Sequence, residues 1–203
     1  MNNFFRALLL APLFHLLPAL AADDALASPA ACPWQDDLKP VSFTRVPGPF
    51  TRTVDTDAGK QSVSVAMGQR VMLAYPGTDP FVNLKLERSV AGHYAADKAA
   101  IMAQLRMIER KAPPESGDRV QRVERGLEVV ALNNRTLTPG VVSMVVWFDD
   151  VHGVIATAYL LNQKPERRAF QNFEEYAILR DRFIGDYTAC MAAVREAAPP
   201  PVN

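Results

Sequence analysis

Histidine, cysteine and surplus charge are all scarce in this chain, and each shortage closes off a class of function. Of three histidines, His15 sits in an apolar leader, which leaves His93 and His152 for the body of the protein. Most metal-dependent hydrolases need two or three imidazoles at defined spacing, and neither a His-Glu-x-x-His motif nor a Cys/His cluster occurs. A Gly-x-Ser-x-Gly elbow and a glycine-rich phosphate loop are also missing. No metal and no cofactor is therefore expected. The 22 basic residues are matched by 22 acidic ones, so the broad positive footprint that nucleic acid or an anionic membrane surface requires is absent.

The first residues read as a secretory signal. Met1 to Arg6 gives a short, positively charged start, and Ala7 to Leu20 is an almost unbroken apolar run. That run falls short of the roughly 20 residues of a membrane-spanning helix and contains Pro12, His15 and Pro18. Ala19 and Ala21 supply the small side chains that signal peptidase requires, which predicts cleavage before Ala22, with Ala25-Leu26-Ala27 a second, less well placed choice. No later stretch is long and apolar enough to span a bilayer, so no integral membrane segment is expected after cleavage, and the expected compartment is the periplasm. The division expected is a signal peptide over 1–21, a Pro/Ala-rich coil over 22–50, one domain over 51–196 and a frayed tail over 197–203. Both cysteines, Cys32 and Cys190, survive cleavage, and an oxidising compartment favours a disulfide between them over two unpaired thiols. With no Cys-x-x-Cys, redox catalysis is disfavoured.

Beyond residue 50 the pattern turns to alternation. Val63, Val65 and Met67 fall on one face of a strand, Val71, Leu73 and Tyr75 on one face of the next, and Gly68-Gln69 between them suggests a two-residue turn. Phe81 to Arg88 reads as a half-solvated strand. A helix is predicted from about Ala95 to Lys111, with Ile101, Leu105 and Ile108 at helical spacing and Pro113-Pro114 as its stop. A charged stretch then leads to a strand over Leu127–Leu132 and to two very apolar segments, Val141–Phe148 and Val154–Leu161. These form a central antiparallel hairpin whose two faces must both be covered. Asn172 and Glu175 make a capping box for a last helix, whose inward stripe is Tyr176, Leu179, Phe183, Tyr187, Cys190 and Val194. Trp147 belongs to the core, and Trp34 covers the disulfide.

Strands, helix, strands, helix is the order of an α+β fold, an antiparallel sheet packed against two helices. The layout is similar to the Mog1 and PsbP-like α/β/α sandwich in its order of elements and in no shared motif. That resemblance implies partner binding more often than catalysis.

Three clusters carry what chemistry the sequence offers. Asp149, Asp150 and His152 place two carboxylates and an imidazole at one hairpin tip, where they could share a proton or hold a cation; the same residues also suit a plain turn. His93 stands at a strand-to-helix junction. Arg119, Arg122 and Arg125, spaced by three, and Arg167 and Arg168 before the last helix are candidates for the rim of a protein interface. The expectation is a non-catalytic periplasmic domain that binds a protein of the cell envelope, such as an accessory factor or an inhibitor or immunity protein. The alternatives are an enzyme whose site is assembled from His93, Asp149, Asp150 and His152, and a small-ligand carrier with a pocket between the sheet and the first helix.

Overall fold

The computed structural model describes residues 32–34, 37–112 and 117–197, so the expected signal peptide, the rest of the chain before Cys32, Pro113-Pro114 and the tail beyond Ala197 lie outside the described residues. Eight strands form one antiparallel sheet: β1 (Lys39–Val46), β2 (Phe50–Thr56), β3 (Gly59–Ala74), β4 (Val82–Ser89), β5 (Gly117–Glu124), β6 (Leu127–Asn134), β7 (Gly140–Asp149) and β8 (Val154–Asn162). Their order across the sheet is β1-β3-β4-β8-β7-β6-β5, with β2 paired to β3 beside β1. Helix α1 (Tyr94–Lys111) and helix α2 (Phe173–Ala197) lie on opposite faces. This is the expected α+β class.

Alternation along the central strands assigns each layer its core. In β7, Val145 and Trp147 join the cluster under α2, while Val146 and Phe148 join the cluster under α1. β6 and β8 divide the same way, with Val129 and Ala156 towards α2, and Val130 and Ile155 towards α1. The pair β7–β8 is therefore buried on both faces, as its composition requires.

The α2 layer is built on aromatic contacts. Trp147 lies edge-on to Tyr187 and Phe183, with ring centroids 4.9 and 6.2 Å away. Its indole N–H donates to Thr188 Oγ1 at 2.8 Å, and that hydroxyl donates to the Ile184 carbonyl at 2.7 Å, so both polar groups are satisfied inside the core. Trp34 stacks on the outer side of Phe183 and Tyr187 at 5.5 and 5.9 Å. Each such aromatic pair contributes about 0.5–1.5 kcal/mol beyond its area burial. The helix begins at the expected cap: the Glu175 N–H donates to Asn172 Oδ1 at 2.9 Å, and the Glu175 carboxylate reaches back to the Gln171 N–H at 2.7 Å, one residue earlier than an ordinary capping box.

Four sequence expectations are corrected. Gly68-Gln69 is no turn: both residues lie inside the 16-residue β3, paired with Val46 and Arg45 on one side and with Glu87 and Leu86 on the other. Ladders on both sides override the local turn preference. A bulge between Val65 and Met67 flips the pleat, so Val63 and Val65 face α1 whereas Met67, Val71 and Leu73 face α2. The segment 22–50 is not all coil, because it contains β1 and the buried Leu38 and Cys32. Pro40 lies within β1 beside a bulge, and Pro47-Gly48-Pro49, with a cis Gly48–Pro49 bond, ends the strand and separates it from β2, where a Cβ on Gly48 would collide with the Ala66 carbonyl. The charged stretch after α1 is β5, an edge strand with a neighbour on one side and little burial, which is why it lacks the usual alternation.

Cys32 and Cys190 form a disulfide, with Cα atoms 5.6 Å apart and a sequence separation of 158. Closing a loop of that length restricts the unfolded chain by up to about 5 kcal/mol on the chain-entropy account. The Cys32→Ser variant, or the reduced protein, is expected to lose about 2–5 kcal/mol in urea unfolding. Equal midpoints for the oxidised and reduced protein would contradict this.

Candidate functional site

The turn between β7 and β8 gathers most of the titratable candidates, and it does so as two networks pointing opposite ways. Asp149 closes β7 with its side chain turned inwards, and it and His152 are each only 6% exposed. One carboxylate oxygen accepts the N–H groups of Val151 at 3.0 Å and His152 at 3.3 Å, the usual work of an aspartate opening a turn. The other lies 2.8 Å from His152 Nδ1. Arg195, from the last turn of α2, approaches the same carboxylate at 3.5 Å and donates to the Arg125 carbonyl at 3.2 Å. That reach depends on Gly126, whose φ of +77° suits glycine and whose Cβ, if present, would occupy the guanidinium's place. His152 Nε2 is buried and has no hydrogen-bond partner among the described residues.

Asp150 turns the other way, towards α1. It accepts the Tyr94 hydroxyl at 2.6 Å and the Lys98 ammonium at 2.7 Å. Lys98 also meets Glu128 of β6 at 2.7 Å and lies 5.3 Å from the centre of the Phe148 ring. Burial works to raise the Asp150 pKa, but the bonds from Lys98 and Tyr94 outweigh it and hold the carboxyl below its ordinary value. Burial also pushes the Tyr94 hydroxyl well above its ordinary value, and the bond to Asp150 adds to the effect. The ammonium of Lys98 is raised despite burial, because two carboxylates hydrogen-bond its charged form.

Asp149, Asp150 and His152 are thus adjacent in sequence without converging on a shared point, and among the described residues no group of three or more His, Cys, Asp or Glu side chains is arranged to hold a metal. His93 occupies the N-cap of α1, is exposed, and makes no side-chain cap bond; its carbonyl, not its imidazole, accepts the Asp97 N–H. Tyr94, Lys98, Glu128 and Arg195 complete the networks and escaped sequence reasoning, because they reach the turn from 22 to 56 positions away.

The arginines divide between the β5 edge and the loop after β8. Arg119 bonds Gln121 at 2.7 Å and faces Glu109 of α1 at 3.7 Å, and Arg122 bonds Glu124 at 2.9 Å, all along the β5 edge. Arg125 follows in the β5–β6 turn with a φ of +50°. Beyond β8, a 3-10 turn (Pro165–Arg167) sets Arg167 3.1 Å from Asp79, and Arg168 donates to the Gln171 carbonyl at 2.6 Å.

Two hollows stand out. One of about 20 Å³, the size of a single water, lies between the disulfide, Tyr187, Asp149 and Arg195. The other, about 500 Å³, opens between α1 and the β2–β3 turn and is lined chiefly by charged and polar residues such as Asp57, Arg106, Glu109 and Arg119. The first, lined largely by apolar residues such as Leu86, Val154 and Met191, is too small for a carrier's ligand, and the second lacks the apolar lining expected of a carrier pocket. Comparisons with protein-family models, curated proteins and solved structures give no match to this chain.

Because the folded-state pKa of Asp150 is depressed, its stabilising contribution is present above the unfolded value of about 3.9 and is lost as pH falls through and below it. Asp150→Asn is expected to flatten the fall in Tm between about pH 5 and pH 3. Its cost near neutrality should be under about 1 kcal/mol, as for other solvent-facing pairs. Parallel Tm profiles for the two proteins would contradict this role.

Proposed function

We propose that this is an exported, non-catalytic domain that works in the periplasm by binding a protein of the cell envelope, and that the partner adds a strand to the free edge of β1. The observation that carries the reading is the exposure of that strand. Seven of its eight residues are exposed, including Phe43 at 42% and Val41 at 58%, and β3 is its one strand partner in the described sheet. Unpaired N–H and C=O groups on such an edge supply affinity to an extended segment, and side chains at alternate positions supply specificity. Lys39 and Arg45, at either end, suit an apolar segment flanked by carboxylates. Disulfide fastening beside β1 agrees with export into an oxidising compartment, as the N-terminal leader suggests. The likeness of layout to Mog1 and PsbP-like sandwiches rests on element order and points the same way.

A second reading has one observation in its favour. Asp149 orients His152 through Nδ1 and leaves Nε2 unbonded, the arrangement of a general base held by a carboxylate. No nucleophile accompanies it among the described hydrogen bonds, so the binding reading is preferred.

A photo-cross-linking residue in place of Phe43, activated in the periplasm of the host, is expected to trap one envelope protein. The paired change Val41→Glu, Phe43→Glu should abolish retention of that protein at a stability cost on the order of 1 kcal/mol, because Val41 is 58% and Phe43 42% exposed. His152→Gln should leave retention unchanged. Retention lost with His152→Gln and kept in the β1 variant would reverse the assignment.

A further inference from the structure

We propose that β5 is a self-association edge: two copies of this chain pair through it, antiparallel, about a two-fold axis at Val120, joining two eight-stranded sheets into one. This surface is separate from β1 and stands or falls independently of the partner proposed there.

The edge is unusually open. β5 pairs with β6 in an unbroken register from Gly117–Asn134 to Glu124–Leu127, without proline or bulge. β1 differs in carrying Pro40 and a bulge at its start, with regular pairing from Ser42 to Val46. Val123 of β5 is 76% exposed and Val120 is also exposed, so the strand presents apolar side chains beside unpaired backbone groups.

Symmetry then restricts the register. A two-fold axis perpendicular to a sheet preserves its faces, so opposed residues must lie on the same face and the axis must pass through a residue rather than between two. An axis at Arg119 or Arg122 opposes identical arginines, and one at Asp118 opposes identical aspartates. An axis at Gln121 sets Asp118 against Glu124, and one at Val123 overlaps only Arg122 to Glu124 within the strand. Only Val120 as the centre brings most of the strand into favourable contact. On the α2 face, Asp118 of each copy meets Arg122 of the other on both sides of a Val120–Val120 pair. On the α1 face, Arg119 meets Gln121, the side chain it already bonds within its own strand. Cross-strand pairs of opposite charge stabilise and like charges opposed destabilise, so the sequence of β5 selects this register among the symmetric ones. The contact is closed: it consumes both β5 edges and leaves the two β1 edges at the far ends.

The test is sedimentation equilibrium of the purified protein from micromolar to submillimolar concentration. The weight-average mass is expected to rise towards twice that of the monomer. Arg122→Asp and Asp118→Arg should each weaken association about tenfold or more by opposing like charges, with unchanged circular dichroism and at most a slightly lower Tm where Asp118→Arg also gives up its exposed bond to Arg135, and the double variant D118R/R122D should restore association. A monomer at every concentration overturns the proposal, including one whose β5 is instead occupied by a different protein. So does a dimer that ignores the single reversals, or a double variant no better than the singles.

Discussion

Burial of the β7–β8 pair on both faces is the constraint around which the rest of the molecule is arranged. Each strand carries large apolar side chains up and down, from Val145 and Trp147 on one side to Val146 and Phe148 on the other. Leaving either face in water would expose several residues worth about 1.5–3 kcal/mol each on burial. Two helices, one per face, are the minimum cover, and the chain supplies one after β4 and one after β8.

Covering helices must also be held in place, and here the polar residues matter. Beneath α2, the indole of Trp147 and the hydroxyl of Thr188 satisfy each other inside the apolar layer, which fixes helix against sheet. Beneath α1, the buried Asp97 carboxylate accepts the Ser64 N–H at 2.9 Å and ties the helix to the bulged half of β3. The β7–β8 turn fastens the ends of both helices, since Asp150 holds Tyr94 and Lys98 while Asp149 faces Arg195. The cluster of Asp149, Asp150 and His152 thus lies where both helices are fastened to the sheet. The disulfide and Trp34 extend it, tying the entering chain to the outer side of α2.

Elements with a single dominant period were legible in the sequence. Both helices, the central hairpin, the disulfide and the core place of Trp147 followed from apolar spacing and from the position of Cys190 on the inward stripe. What escaped was whatever depends on a neighbour far along the chain. The bulge near Ala66 reverses facing within one strand, so Gly68-Gln69 mimicked a turn. β1 and β5 lie at the edges, where little apolar surface is buried, and periodicity therefore fades. Lys98, Glu128 and Arg195 carry no local mark of their role, because each reaches the turn through the folded sheet or helix rather than through sequence proximity.

Native-state hydrogen exchange tests the central claim most directly. If double-sided burial of β7–β8 organises the fold, the amides of Val145–Phe148 and Ile155–Ala158 open only with global unfolding, and β1 and β5 exchange faster by local opening. Exchange in β7 and β8 as fast as at the edges, with the slowest amides elsewhere, would contradict the account.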